Sequence, residues 1–180
     1  TAYEIRNCDW SSDVCSSDLT TDTTSLRVLF TGGEMVPPDR AQEWETRSAS
    51  RVLQFYGSNE TGALSRTTLG DPDEVRLHTA GRVIPEMHVR LLDPDTGADV
   101  TATGGPGIAA CRGPVTCLGY YDDDEANAEL VTADGWMRTG DLCTIDSDGV
   151  LTVAGRASDF IIRGGKNLSA AVIEIGRAHV

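Results

Sequence analysis

The apolar runs of this chain are strand-length, and most of them stop at a glycine or an aspartate-led turn. That pattern constrains the fold more than any other feature, because runs this short suit strands and fall well below the length that crosses a membrane. LRVLF (26–30) reads as a buried strand ending in Thr31-Gly32-Gly33. Pro37 and Pro38 then lead into a polar helix over DRAQEWETRSAS (39–50), with Asp39 placed as its cap. RVLQFYG (51–57) is a second strand, again closed by glycine. The order strand, loop, helix, strand predicts an α/β unit with a parallel pair.

After Gly81 the pattern changes. VRLLD (89–93), IAACR (108–112), LCTID (142–146) and VLTVAG (150–155) are short strands separated by Pro-Asp, Gly-Gly-Pro and Asp-Gly turns. Asp148-Gly149 between the last two is a hairpin signal. Such a run predicts an antiparallel sheet or distorted barrel attached to the α/β portion. DFIIRGGKNLSAAVIE (159–174) adds a strand, a glycine turn and a helix beginning near Ser169.

Charge narrows the function classes. A net charge of −13 with no basic stripe argues against nucleic-acid or acidic-membrane partners, so a phosphate ligand would need local donors or a metal ion. Five cysteines, at 8, 15, 111, 117 and 143, form no CxxC pair. Buried or incidental thiols in a reducing cytosol are the expectation, and no secretory leader opens the chain. His78 and His88 have no partner pattern and are expected to be ordinary surface or strand residues.

The two ends depart from the strand pattern. DWSSDVCSSDL (9–19) has neither helical nor strand period, and Asp9, Asp13 and Asp18 lack the alternating ligands and central glycine of a calcium loop. TAYEI followed by this stretch resembles the conceptual translation of a sequencing adapter. IGRAHV (175–180) resembles the complementary adapter in another frame. Residues 1–19 and 175–180 are therefore set aside from fold reasoning as artefacts, and Cys8 and Cys15 go with them.

Four stretches carry chemistry: LFTGGEMVPP (29–38), QFYGSNETG (54–62), DGWMRTGDL (134–142) and GRASDFIIRGGKN (155–167). Tyr56, at a strand end, offers an exposed aromatic face to a flat ligand. Glu60 is a hard oxygen donor. Glycine in TGGE permits close backbone approach, and an ionised Asp141 can accept from two hydroxyls at once. Each stretch alone also fits a structural reading: a polar turn, a strand-ending turn, an aspartate opening a turn, a solvated arginine at 156. GGKN is no phosphate-binding P-loop, because Phe160 stands where its first glycine belongs and Asn167 follows the lysine.

In this order and spacing the four stretches resemble the adenylate-forming, AMP-binding superfamily, and most of all its acyl-CoA synthetases, the fatty-acid–CoA ligases. The resemblance covers nearly all of residues 20–174. It implies the C-terminal portion of a large domain over 20–155, an α/β unit followed by a distorted β-barrel, and over 156–174 the hinge and start of a small domain. It implies that Tyr56 stacks on adenine, that Gly33 and Glu34 run beside it, and that Asp141 and Arg156 meet the ribose. By the same resemblance Glu60 helps hold Mg2+, Asn59 stands in for the hydroxyl that meets the α-phosphate, and Ser158 is the hinge. Gly164 and Gly165 then approach the pantetheine arm of coenzyme A, while Trp136 is expected to pack rather than bind.

The implied reaction joins a small carboxylic acid to ATP, releasing pyrophosphate, and then to the thiol of coenzyme A. A carrier-protein-loading adenylation domain and a non-catalytic nucleotide-binding remnant are the alternatives. Asn59 replaces a threonine or serine, and Ile108 stands where the superfamily has glutamate. The phosphate loop and the small-domain lysine of the superfamily are not found, so the 180-residue chain by itself is expected to be inactive.

Overall fold

The computed structural model describes residues 22–157 and, as backbone, residues 160–163 and 166–169. Residues 1–19 and 175–180, the hinge Ser158 and the paired glycines Gly164 and Gly165 lie outside the described residues.

Strand β1 (Val28–Gly32) and strand β2 (Arg51–Ser58) pair in parallel, as the strand–helix–strand order predicts, with helix α1 (Pro38–Ser48) between them. Helix α1 starts one residue before the expected cap. Pro38 occupies its first turn, where a missing N–H costs nothing, and Pro37 rather than Asp39 precedes the helix. Asp39 makes no cap bond and contributes only negative charge to the first turn. Ala41 and Trp44 face Val52 of β2 and Leu77 of helix α2 (Asp73–His78), forming a small apolar cluster.

The expectation of a buried first strand is corrected. Val28, Leu29 and Phe30 are 36–52% exposed, because β1 is an edge whose one neighbour among the described residues is β2. An apolar run sets strand propensity, whereas burial also needs partners on both faces of a parallel sheet. Phe30 finds one such contact, stacking on Phe55 at 5.2 Å.

Strand β2 turns back into β3 (Gly62–Arg66), which pairs with the short β4 (Arg82–Val83), completing a sheet of order β1-β2-β3-β4. A second sheet is antiparallel throughout: β5 (His88–Leu92), β6 (Gly107–Arg112), β7 (Met137–Ile145) and β8 (Leu151–Arg156). All four expected strands are therefore present, although β7 begins early enough to include the RTGD tetrapeptide itself. The hairpin expected at Asp148-Gly149 joins β7 to β8, with Gly149 at φ +73° and Asp146 Oδ1 accepting from the Asp148 and Val150 N–H groups at 2.9 Å.

The two sheets are joined at this hairpin. Ala80 N–H donates to Leu151 O and Leu151 N–H to Gly81 O, both at 2.9 Å. Among the described residues β1 and β5 remain edge strands of their sheets. The main core lies between the two sheets. Leu91, Ala109, Cys143 and Leu151 form one cluster and Leu64, Met87, Cys111 and Met137 another, bridged by Tyr56, Val83 and Val89. Cys111 and Cys143 are buried free thiols.

Strands β9 (Phe160–Arg163) and β10 (Lys166–Ser169) form a separate antiparallel pair. Ser169 is the last residue of β10, and the helix expected from near Ser169 lies over residues 170–174, outside the described residues. No helix among the described residues is long and apolar enough to cross a membrane.

Candidate active site

Two irregularities in the sheets bring the sequence motifs together. The pairing of β2 with β3 shifts register between Tyr56 and Gly57, and that of β7 with β8 shifts between Leu142 and Cys143. Bulges of this kind re-aim side chains. Here the Tyr56 hydroxyl donates to Asp141 Oδ2 at 2.6 Å. Arg156, the register partner of Asp141 across β7–β8, brings Nε to 3.2 Å from Oδ1. One carboxylate oxygen of Asp141 is therefore hydrogen-bonded and the other ion-paired.

Tyr56 is half-buried within β2, not an exposed ring beyond a strand end as the sequence suggests. Its ring packs against both core clusters. Burial, the neighbouring Cys143 and the bond to Asp141 raise the phenol far above the ordinary tyrosine range, so it remains a donor. The Cys143 thiol, itself pushed up to about 12 by burial, is structural rather than reactive.

The β2–β3 turn carries the next two candidates. Ser58 Oγ accepts from the Glu60 and Thr61 N–H groups, each at 3.2 Å, and donates to Glu60 Oε2 at 2.6 Å. The Thr61 hydroxyl accepts from Ser58 N–H at 2.9 Å. Gly57 is required at this crossing, because a Cβ there would stand 1.9 Å from the Gly62 carbonyl oxygen. Glu60 accepts a second hydroxyl bond, from Tyr120 at 2.8 Å. These bonds, Ser58 first and Tyr120 second, hold the Glu60 carboxyl below its ordinary range. The Asn59 side chain is exposed and makes no hydrogen bond among the described residues.

Gly33, at φ +96° with open space where a Cβ would sit, and Glu34 complete the arrangement. Gly33, Glu34, Tyr56, Asn59, Glu60, Asp141 and Arg156 all line one cleft of about 880 Å3. Arg138, Thr139 and Tyr120 line it too. The signal for Arg138 and Thr139 lay in the same tetrapeptide as Asp141; nothing in the sequence singled out Tyr120. Trp136 packs, as expected: the Arg90 and Arg112 guanidinium groups lie over its indole, at 4.5 and 5.0 Å from the ring centroid. Ile108 lines a separate, smaller cavity with Leu92 and Arg138. His78 and His88 are exposed and away from the cleft.

Residues 8–121 match the family described as AMP-binding enzyme, and the chain belongs to that family. The match opens at residue 8, within the stretch set aside on sequence grounds. The 2-hydroxy-7-methoxy-5-methyl-1-naphthoate–CoA ligase of Streptomyces carzinostaticus is 40% identical over 85% of this chain and 27% of its own length. The medium-chain fatty-acid–CoA ligase of Escherichia coli is 33% identical over 85% of this chain and 26% of its own. The ATP-bound crystal structure of MatB from Rhodopseudomonas palustris superposes with a TM-score of 0.73 at 27% identity, covering 85% of this chain and 30% of that one. The chain thus spans about a quarter of the length of these ligases. Its two largely antiparallel sheets with few helices are a part of the large domain of an adenylate-forming enzyme.

Proposed function

We propose that this chain forms the nucleotide-binding part of an ATP-dependent ligase that adenylates a carboxylic acid and passes the acyl group to coenzyme A. One observation carries the reading: Asp141, Tyr56 and Arg156, from three strands, meet at a cleft that Gly33, Glu34 and Glu60 also line. Asp141 takes the two ribose hydroxyls. One oxygen spends an acceptor site on Tyr56 and the other is ion-paired with Arg156, and an ionised carboxylate has about four such sites, so a vicinal diol fits without expelling either neighbour. Tyr56 keeps its hydroxyl on Asp141 while its ring supports adenine beside the Gly33–Glu34 turn.

Asn59 presents a free amide to the α-phosphate, where donors meet the charge that develops as the acid attacks and pyrophosphate leaves. Glu60 suits Mg2+, because that ion favours one or two carboxylates together with substrate phosphates and water over an all-protein cage. A bound Mg2+ would offset the phosphate charge. Ser58 and Tyr120 keep the Glu60 carboxylate ionised and oriented. The four-stranded sheet stops at Arg156 and the next two strands form their own pair, which supports a hinge at Ser158. On this reading Gly164 and Gly165 line the coenzyme A approach after the small domain turns. The two named relatives act on an arene carboxylate and on a medium-chain fatty acid, so fatty-acid specificity is not part of the proposal.

The test is made on the protein as its gene encodes it. ATP–pyrophosphate exchange is measured with a panel of aromatic and aliphatic acids, followed by thioester formation with free coenzyme A. Acid-dependent exchange followed by a coenzyme A thioester is expected. Exchange without thioester would transfer the reading to carrier-protein loading, and no exchange with any acid would end it.

A further inference from the structure

The loop after β6 reaches across the molecule to Glu60, and the structure assigns Tyr120 as the residue that positions this carboxylate. The inference rests on the reading of Glu60 as a metal-facing group. Tyr120 donates to Glu60 Oε1 at 2.8 Å from 60 residues away, while Ser58 donates to Oε2 at 2.6 Å from within the turn. Ser58 alone would leave the carboxylate free to swing about that one bond. The second hydroxyl fixes its plane and leaves acceptor sites on both oxygens.

A surface tyrosine resting on a nearby carboxylate would be unremarkable if the loop were loose. It is not. The Asn127 carboxamide grips the backbone of Tyr120 from both sides, accepting from its N–H at 2.6 Å and donating to its carbonyl at 2.9 Å. Gly119 makes room for this grip, since a Cβ there would lie 2.6 Å from Asn127 Oδ1. Asn127 is itself fixed on the helix α3 (Asp124–Leu130), whose Asp123 cap accepts from Ala126 N–H at 3.0 Å. On the other flank Cys117 N–H donates to the Glu60 carbonyl at 2.7 Å, clipping the loop to the turn it serves. Leu118 and Tyr121, on either side, point wholly into solvent. Only Tyr120 is turned into the cleft.

The experiment measures binding of a non-reactive ATP analogue, α,β-methylene-ATP, to the protein as its gene encodes it, with Mn2+ present and with the metal chelated. Tyr120→Phe is expected to reduce the gain in affinity that the metal brings by roughly ten- to a hundredfold, the scale of one hydrogen bond to a charged acceptor, and to change metal-free binding by much less. Asn127→Ala, which keeps the phenol and removes its anchor, should move the same quantity in the same direction by less. Glu60→Gln is the control for the underlying reading and should abolish the metal-dependent gain. If Glu60→Gln abolishes it and Tyr120→Phe does not change it, the positioning role is overturned while the metal assignment stands. A Tyr120→Phe loss that is equal with and without metal would make Tyr120 a structural residue and overturn the inference too. If Glu60→Gln changes nothing, the metal assignment falls and the inference with it.

Discussion

Arg156 faces Asp141 across the β7–β8 ladder, its Nε 3.2 Å from Oδ1, although the Arg156 side chain is 68% exposed and that of Asp141 15%. The asymmetry assigns the two residues different tasks. An arginine this solvated adds little to folding by its ion pair, whereas the sheltered carboxylate can hold a ligand against water.

Asp141→Asn keeps the side-chain shape and removes the charge. It is expected to weaken nucleotide binding by one to two decades, since a hydrogen bond to a charged group is worth about 1.5–3 kcal/mol. Tyr56→Phe keeps the ring, and its main effect should be on folding, about 1.5–3 kcal/mol from the lost bond to the Asp141 carboxylate. Equilibrium binding of ATP and denaturant unfolding of both variants separate the two outcomes.

Among the described residues Arg76 is the largest fully buried side chain, and each of its two terminal nitrogens makes two hydrogen bonds. It binds Glu45 with both terminal nitrogens, Asp73 at 2.6 Å and the Val52 carbonyl at 3.0 Å, tying α1, α2 and β2 together. Arg76→Met takes the buried cationic partner from the Glu45 carboxylate, whose side chain is only 12% exposed, leaving it the exposed Arg51 and the Val52 N–H, and should cost up to about 3–5 kcal/mol in denaturant unfolding. The double variant Arg76→Met/Glu45→Gln should recover part of that loss, because the underpaired charge is gone.

The legibility of each element depended on the signal it requires. The parallel pair and the four strands of the second sheet each have an apolar run and a turn marker. Helix α2 has six residues and α3 seven, too few to display a helical period, and four of the five residues of β3 are small or polar. In the cleft, the motifs that resemble those of the superfamily marked seven of the lining residues. The half-burial of Tyr56 depends on a register shift that no local pattern encodes. Tyr120 was illegible for a similar reason: its role comes from an asparagine grip and a contact 60 residues distant.

Asn59 offers a separation of folding from function. Its side chain is exposed and bonds to nothing described, so Asn59→Ala should leave the unfolding free energy within about 0.5 kcal/mol of the parent. If its amide meets the α-phosphate, the same variant should slow pyrophosphate exchange at saturating ATP. A destabilised Asn59→Ala would place the amide in the turn's own architecture instead.

Acid should weaken the fold through Glu45. Burial alone would raise its pKa, but the Arg76 bonds, the Val52 N–H and Arg51 outweigh it, and the net shift is downward from 4.5. A carboxyl with a depressed folded pKa adds stability that is complete above its unfolded pKa and is lost as pH falls through the folded one. The loss therefore begins near pH 4.5 and grows below it. Unfolding free energies measured from pH 6 downward should fall more steeply for the parent protein than for Glu45→Gln, which has no proton to take up. The two curves should run parallel above about pH 5.5, where Glu45 is ionised in both the folded and unfolded chain. Parallel curves throughout would show that Glu45 titrates alike in both states and that the α1–α2 ion pair contributes nothing to acid sensitivity.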